Sequence, residues 1–361
     1  MASYSSLKDV AARAGVSFQT ASKVLNGHPG AASADTIDRV VAAARDLEYV
    51  PSAMARRLVS RSAPLVGIIT GDLSDTGLAQ FLAGALRGIH ARGGEAFIVA
   101  LEPARNRDKS VRKLLEQRVD GVVVIAPSVE RERRFARAFP ASLPMVSINH
   151  LPGSSATLVG SDHHQTGTLA ATHLLELGHR EIATVTGPSS REVVGSRHAG
   201  FQDVLKEAGI QLPTRRVARA DWSAQEAHRA TAALLDADST VTAIFVHSDV
   251  MAMGVLSALR ERGCRVPDDV SVVGCDDMAF SAFLAPPLTT VRVPFEQTGQ
   301  RAAELLLAKI SRAEIPHREL LPVQLIERRS TGPPPTPFHG PRRTRAGRSG
   351  TPLQLIKEGS S

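Results

Sequence analysis

From residue 149 onward, five side chains are suited to holding a small polar molecule: Asn149, Arg197, Trp222, Asp249 and Asp276. Asn149 ends the apolar run Pro144–Ile148, Asp249 follows Ala243–Ser248, and Asp276 follows Val270–Cys275. Ligands of open parallel sheets bind beyond the carboxyl ends of the strands, where groups so placed converge. The guanidinium of Arg197 donates and the carboxylate of Asp276 accepts, a pair able to grip hydroxyl groups. Trp222, the single tryptophan of the chain, offers a flat apolar face to a sugar ring. Each position also has a plainer use: Trp222 as a satellite core residue, Asp249 as a helix N-cap, Arg197 in a surface ion pair. Asp276 and Asp277 are adjacent, so only one of them could cap a helix, and as an acid–base pair they would point apart.

No other arrangement carries chemistry. There is no GxGxxG opening a helix, no phosphate-binding P-loop and no nucleophile elbow. His163–His164 and His173–His179 lack the i, i+4 spacing of a metal site, and Cys264 and Cys275 form no CxxC. No catalytic residue, metal or cofactor is therefore expected, and an enzyme is the weakest reading.

A second set of polar residues lies near the N-terminus: Ser17, Phe18, Gln19, Thr20, Ser22, Lys23 and Asn26. Apolar residues at 7, 10, 11 and 14 predict one helix, which Gly15 ends. Ser17 is a good N-cap for a second helix, Phe18 to Leu25, whose inner stripe is Ala21, Val24 and Leu25. The opposite stripe of that helix could reach base edges in a major groove. A third helix, Ser33 to about Leu47, is expected to bury Ile37, Val40, Val41 and Ala44. The linker Tyr49–Ser52 leads into a short basic helix around Arg56 and Leu58, too short to be stable alone and suited to folding on DNA. Leu58 could wedge between base steps in the minor groove or pack on the next domain.

Charge and composition agree with a polyanionic partner. The net charge of +7 resides at the two ends: +3 over residues 1–62 and +4 over 332–361, with the 269 residues between them balanced. No apolar stretch is long enough to span a bilayer and no secretory signal is visible, so a cytoplasmic protein without membrane contact is expected. From Leu65 the pattern becomes apolar strands alternating with amphipathic helices, in two series, which predicts two parallel-sheet lobes with a ligand site between them. The fold class expected is an all-α helix-turn-helix headpiece plus an α/β two-lobed periplasmic-binding-protein-like domain. The headpiece is placed at 1–50, a hinge helix and linker at 51–62, and the two-lobed domain at 63–331. Lobe 1 takes about 63–160 plus 294–320, and lobe 2 about 161–290 plus 321–331. A basic Pro/Gly-rich tail, 332–361, is expected to be disordered.

The stretches Leu7–Gly27 (LKDVAARAGVSFQTASKVLNG) and Ser33–Leu58, with LEYVPSAMARRL, closely resemble the lactose/galactose repressor (LacI/GalR) family. The motifs GPSSREVVGSRHAGF, ADWS, VHSDVMAMG, VVGCDD and PPLTTVR extend the likeness to about Ser330. The resemblance implies a transcription regulator, a homodimer on a palindromic operator in double-stranded DNA, released by a small-molecule effector. By position it makes Phe18, Gln19 and Lys23 base readers, Thr20 and Ser22 phosphate contacts, and Leu58 the intercalating residue. It assigns the effector, a sugar or sugar derivative, to Asn149, Arg197, Trp222, Ser248 and Asp276. The chain departs from the family pattern at Lys23, where many members have Arg, at Ser248 in place of Asn, at Ala126 in place of a polar side chain, and at Gly71–Asp72 in the first lobe. The alternatives are a non-sugar effector or corepressor logic within the same family, and a sugar-binding transport protein, which would need export.

Lysine cannot make the planar bidentate base contact of arginine, so the role of residue 23 is open to test. Lys23→Ala should change the preferred base at one operator position in a binding selection; uniform weakening across all sequences would make Lys23 a phosphate contact instead.

Overall fold

The computed structural model describes residues 5–26, 30–50, 63–148 and 150–335. Arg56, Leu58 and the rest of the 51–62 linker, Asn149, and the tail from residue 336 lie outside the described residues.

The headpiece is three helices, α1 (Leu7–Ala14), α2 (Phe18–Leu25) and α3 (Ala34–Asp46). A capping box starts α1: Ser6 Oγ accepts from the Asp9 amide, and the Asp9 carboxylate accepts from the Ser6 amide at 2.7 Å. Gly15 ends it at φ 66°, a left-handed conformation that costs glycine nothing. Val10, Ala11, Ala14, Ala21, Val40 and Ala43 form the core, with Val24 and Leu25 packed against it. The inner stripe of α3 differs from expectation. Val40 and Ala43 are buried and Ala44 partly so, whereas Ile37 and Val41 are 38% and 43% exposed. Two eight-residue helices cover only a narrow strip of α3, and periodicity does not say which of two adjoining apolar strips they choose.

Two six-stranded sheets follow. The first uses β1 (Leu65–Thr70), β2 (Glu95–Ala100), β3 (Gly121–Ile125), β4 (Met145–Ser147) and β5 (Thr157–Ser161). The second uses β6 (Ile182–Thr186), β7 (Val217–Arg219), β8 (Ala243–Val246), β9 (Ser271–Asp276) and β10 (Thr289–Arg292). Each gains one late strand, β11 (Arg318–Leu321) for the first and β12 (Gln324–Ile326) for the second. The orders are β11-β5-β4-β3-β1-β2 and β12-β10-β9-β8-β6-β7. All pairings are parallel except β10 with β12. The stretch at 160–162, read from sequence as a lobe boundary, thus completes a strand of the first sheet before the chain crosses. Two further crossings follow β10 and separate β11 from β12.

Helices cover both faces of each sheet, which is why the central strands are continuous apolar runs. On lobe 1 these are α4 (Thr76–His90), α5 (Arg107–Glu116), α6 (Arg133–Arg137) and the late α11 (Phe295–Ile310); on lobe 2 they are α7 (His163–Glu176), α8 (Glu192–Glu207), α9 (Ala224–Ala237) and α10 (Asp249–Glu261). Residues 332–335, assigned from sequence to the tail, belong to the folded part. The Gly332 amide donates to Ser271 Oγ at 3.0 Å, and its carbonyl oxygen lies 2.9 Å from His179 Nε2. Buried hydrogen-bonding groups on the second lobe hold this segment where composition suggested a free end.

Helices α7 and α8 cross at glycines. A Cβ on Gly167 would lie 1.9 Å from the carbonyl oxygen of Arg197, and one on Gly200 would lie 2.0 Å from that of His164. The contact is backbone to backbone, so nothing can swing aside. Gly167→Ala should cost about 1–3 kcal/mol by forcing the helices apart; an unchanged urea midpoint would contradict this packing.

Candidate functional site

A cleft of about 490 Å³ lies between the lobes, within the range of pockets that enclose small organic ligands. Its walls are the loops after the strands. Lobe 1 contributes Asp72, Ser74 and Asp75 after β1, Phe81 of α4, Pro127 after β3, Ile148 after β4, Ser161 at the end of β5 and Phe295 of α11, and His163 heads α7 where the chain crosses. Lobe 2 contributes Arg191 after β6, Asp221 to Ser223 after β7, Ser248 after β8, Asp276 and Met278 from β9, and Arg197 from α8.

Of the six residues singled out from sequence, Arg197, Trp222, Ser248 and Asp276 line this cleft. Asn149 lies outside the described residues, next to the lining residue Ile148. Asp249 is not part of the wall, and this corrects its assignment to the ligand. It is fully buried, and its carboxylate accepts from Ser281 Oγ at 2.6 Å, Thr290 Oγ1 at 2.6 Å and the Met278 amide at 2.9 Å. Nor does it cap α10, since Ser248 does so, accepting from the Met251 amide at 3.2 Å. Asp249 instead ties the start of α10 to β10 and to the segment after β9.

Arg197 sits in the second turn of α8, which begins at Glu192. It is 4% exposed, so the surface ion-pair reading does not apply. One guanidinium nitrogen donates to the His247 carbonyl, and another lies 3.6 Å from Asp276 Oδ1. Asp276 has φ 118°, a backbone conformation rarely adopted by residues other than glycine. Burial pushes its carboxyl up to about 8 despite the pull of Arg197. His163 and the buried His247 are held well below the ordinary histidine range by burial and by Arg197, so both are neutral near pH 7. Trp222 has φ 78° and lies over Gly187, where a Cβ would come within 2.5 Å of the indole. The ring is half-buried: one part packs on lobe 2 and the remainder faces the cleft.

Sequence reading missed Asp75, Ser161, His163, Arg191 and Asp221. The strand-end rule that selected Asp276 would have found Ser161 and His163 had β5 been recognised as a strand. Asp75 reads as an N-cap and is one, accepting from the amides of Gly77 and Leu78, yet it also faces the cleft. A cleft that combines carboxylates, guanidiniums and the aromatic rings of Trp222, Phe81 and Phe295 can orient a ligand by donors, acceptors and apolar faces together. Among the described residues no group of three or more His, Cys, Asp or Glu could hold a metal ion.

On the headpiece, Ser17 caps α2 by accepting from the Thr20 amide at 3.1 Å. Phe18, Gln19, Lys23 and Asn26 are exposed, and Thr20 and Ser22 are half-buried. Phe18 is 51% exposed, an apolar ring held in water beside polar neighbours on the face away from the core.

A three-helix headpiece joined to two parallel-sheet lobes with a ligand cleft is the architecture of a ligand-binding DNA regulator. Comparison with known proteins gives the same result. Residues 6–52 match the model for bacterial regulatory proteins of the lacI family, and 171–331 match the periplasmic binding protein-like domain. The lactose operon repressor of Escherichia coli K12 is 32% identical over 339 residues, 93% of either chain. A transcriptional repressor of Haemophilus influenzae, PurR, is 31% identical over 307 residues, 84% of this chain and 91% of that one. The crystal structure of the lac repressor dimer bound to operator and the anti-inducer ONPF superposes with a TM-score of 0.83 at 31% identity, covering 91% of this chain and all of that one. A transcriptional regulator CelR–cellobiose complex gives 0.68 at 29% identity, covering 90% and 99%. The chain belongs to the LacI family: it is a DNA-binding transcriptional repressor with a ligand-binding domain, not an enzyme. No helix among the described residues is long and apolar enough to cross a membrane.

The raised carboxyl of Asp276 has a signed consequence. Between about pH 4 and 8 the folded chain holds a proton that the unfolded chain has lost, so this group's contribution is full below about pH 4 and disappears as pH rises through 8. Asp276→Asn should remove that slope and make the ligand-free protein more stable than wild type above pH 8, by at least about 1 kcal/mol. Parallel urea-unfolding curves at pH 5 and 9 test this; an identical pH dependence in the two proteins would show that Asp276 is ionised throughout.

Proposed function

We propose that the effector is a neutral polyhydroxylated molecule, a sugar or sugar derivative, whose binding releases the repressor from its operator. The observation that carries this reading is the juxtaposition of the Trp222 face with the Arg197–Asp276 pair in one cleft. Sugar rings present a C–H face that stacks on an indole and a rim of hydroxyls that need both donors and acceptors. Asp72, Asp75 and Asp221 add carboxylates to the wall, which suits hydroxyl donors and opposes an anion such as a sugar phosphate. The lac repressor and the cellobiose-bound CelR support the same class of ligand. Asn149, Arg197, Trp222, Ser248 and Asp276 are the residues proposed to hold it.

The operator is proposed to be a palindrome with a flexible central pyrimidine–purine step, bound by a homodimer, as the dimeric lac repressor is bound to its own operator. Phe18, Gln19 and Lys23 read bases, Ser17, Thr20, Ser22 and Asn26 contact the backbone, and Arg56 and Leu58 enter the minor groove. Effector can shift DNA occupancy only by binding the two states of the repressor unequally.

Titration of Trp222 fluorescence with neutral mono- and disaccharides, sugar phosphates and nucleobases tests the reading, because any signal has a single source. A saturable change with one neutral saccharide, accompanied by loss of operator retention, is expected. Saturation by a nucleobase with tighter operator binding would replace it with a corepressor. No response from any compound would move Trp222 to a structural role.

A further inference from the structure

The lobes are joined by more than the three chain crossings, and one contact between them is of an uncommon kind. Helix α8 runs for sixteen residues and carries Arg197, yet its N-cap position holds Arg191, whose side chain makes no capping bond. Ser, Thr, Asp and Asn are the residues that normally satisfy such an end. The cap comes instead from the other lobe. Glu130 follows the 3-10 turn Pro127–Val129 of lobe 1, and its Oε2 accepts from the Glu192 amide, the first of α8, at 3.2 Å. The same oxygen lies 4.0 Å from Arg191 Nε. Next to it, Arg131 Nη2 donates across the gap to the Ser189 carbonyl at 3.4 Å. Glu130 is only 6% exposed. Burying a carboxylate requires compensating partners, and here the helix terminus and Arg191 supply them.

We propose that Glu130 is a cross-cleft positioning residue, which caps α8 only while the lobes are together and so couples lobe closure to the placement of Arg197 and Trp222. The route is short. The loop held by this contact includes Gly187, on which Trp222 lies, and the capped turn leads directly into Arg197. Separating the lobes takes the cap from α8, loosens that first turn, and removes from Glu130 its contacts with lobe 2. Closure and an ordered binding wall are therefore favoured together. The coupling to effector rests on the cleft being the effector site, whereas the cap itself is testable without any ligand.

Two readouts on the full-length, ligand-free chain test it: amide hydrogen exchange along α8, and acrylamide quenching of Trp222. In Glu130→Ala, amides 192–195 should exchange at least about fivefold faster, as expected for the loss of one cap, and quenching should rise as the cleft opens. Adding Arg191→Ser, which places a capping residue within lobe 2, should restore protection of the first turn while quenching stays high. If either readout fails to move in Glu130→Ala, the proposal is wrong. It is also wrong if β3 and α4 lose protection as much as α8 does, because Glu130 would then merely hold lobe 1 together. Should Glu130→Ala not fold, Glu130→Met decides, since it keeps the bulk but has no oxygen to accept from the Glu192 amide; exchange and quenching equal to wild type would sink the idea. A failed saccharide titration alongside a positive result here would overturn the effector reading and leave the cap standing.

Discussion

A parallel sheet covered by helices on both faces has only one place left for chemistry, the loops at the carboxyl ends of its strands. In this protein two such sheets are joined by three crossings that turn those ends towards each other. Every strand-end loop that lines the cleft inherits its position from this constraint. The cleft is therefore a consequence of topology before it is a property of any side chain. Its residues are scattered from Asp72 to Phe295 because neighbouring strands in space are distant in sequence.

Within that frame, adjacent acidic residues have opposite duties. Asp276 faces the cleft, and burial and an unfavourable backbone conformation make it costly to keep there. Asp277 turns the other way and receives Arg292 Nε at 2.7 Å and Arg328 Nη2 at 2.6 Å. It thereby fixes the end of β10 and the segment after β12, close to two of the three crossings. Asp249 does similar work underneath, and burial pushes its carboxyl up to about 6 even with three hydrogen bonds in place. The frame is thus built with satisfied carboxylates, while the binding wall retains the strained one. A bound ligand supplying hydrogen bonds to Asp276 would recover part of that cost, which is how binding gains leverage over lobe arrangement.

The headpiece follows a different economy. Its core is six small buried residues, far fewer than either lobe possesses, and capping at Ser6 and Ser17 accounts for much of its local definition. Small side chains at the helix contacts let α1 and α2 approach closely, leaving the polar stripe of α2 outward. An exposed Phe18 on that stripe is unfavourable in water and becomes favourable only against another surface. Such a unit is suited to presenting a rigid reading helix while leaving regulation to the domain behind it.

Much was legible in the residues alone. The 3.6-residue period, Gly15 and Ser17 defined α1 and α2, because helix ends and faces are local properties. Continuous apolar runs marked eight of the strands, and the strand-end rule found Arg197's partner Asp276, whereas Ser248 came only from the family resemblance. What local pattern could not decide was which of several equivalent surfaces a neighbour would cover. Ile37 and Val41 have the right spacing for burial and stay exposed; Asp249 has the right position for a ligand and is consumed by Ser281, Thr290 and Met278 instead. Strand β5, with only Leu158 and Val159 apolar among its five residues, makes no continuous apolar run, so Ser161 and His163 escaped notice. Glu130 looks like one more charge in a polar run, and only the approach of the second lobe, from sixty residues further along the chain, makes it the cap of α8. Local sequence settled the elements, because their energetics are local; the tertiary structure settled the partners of each buried charge, because a charge removed from water is defined by what replaces the water.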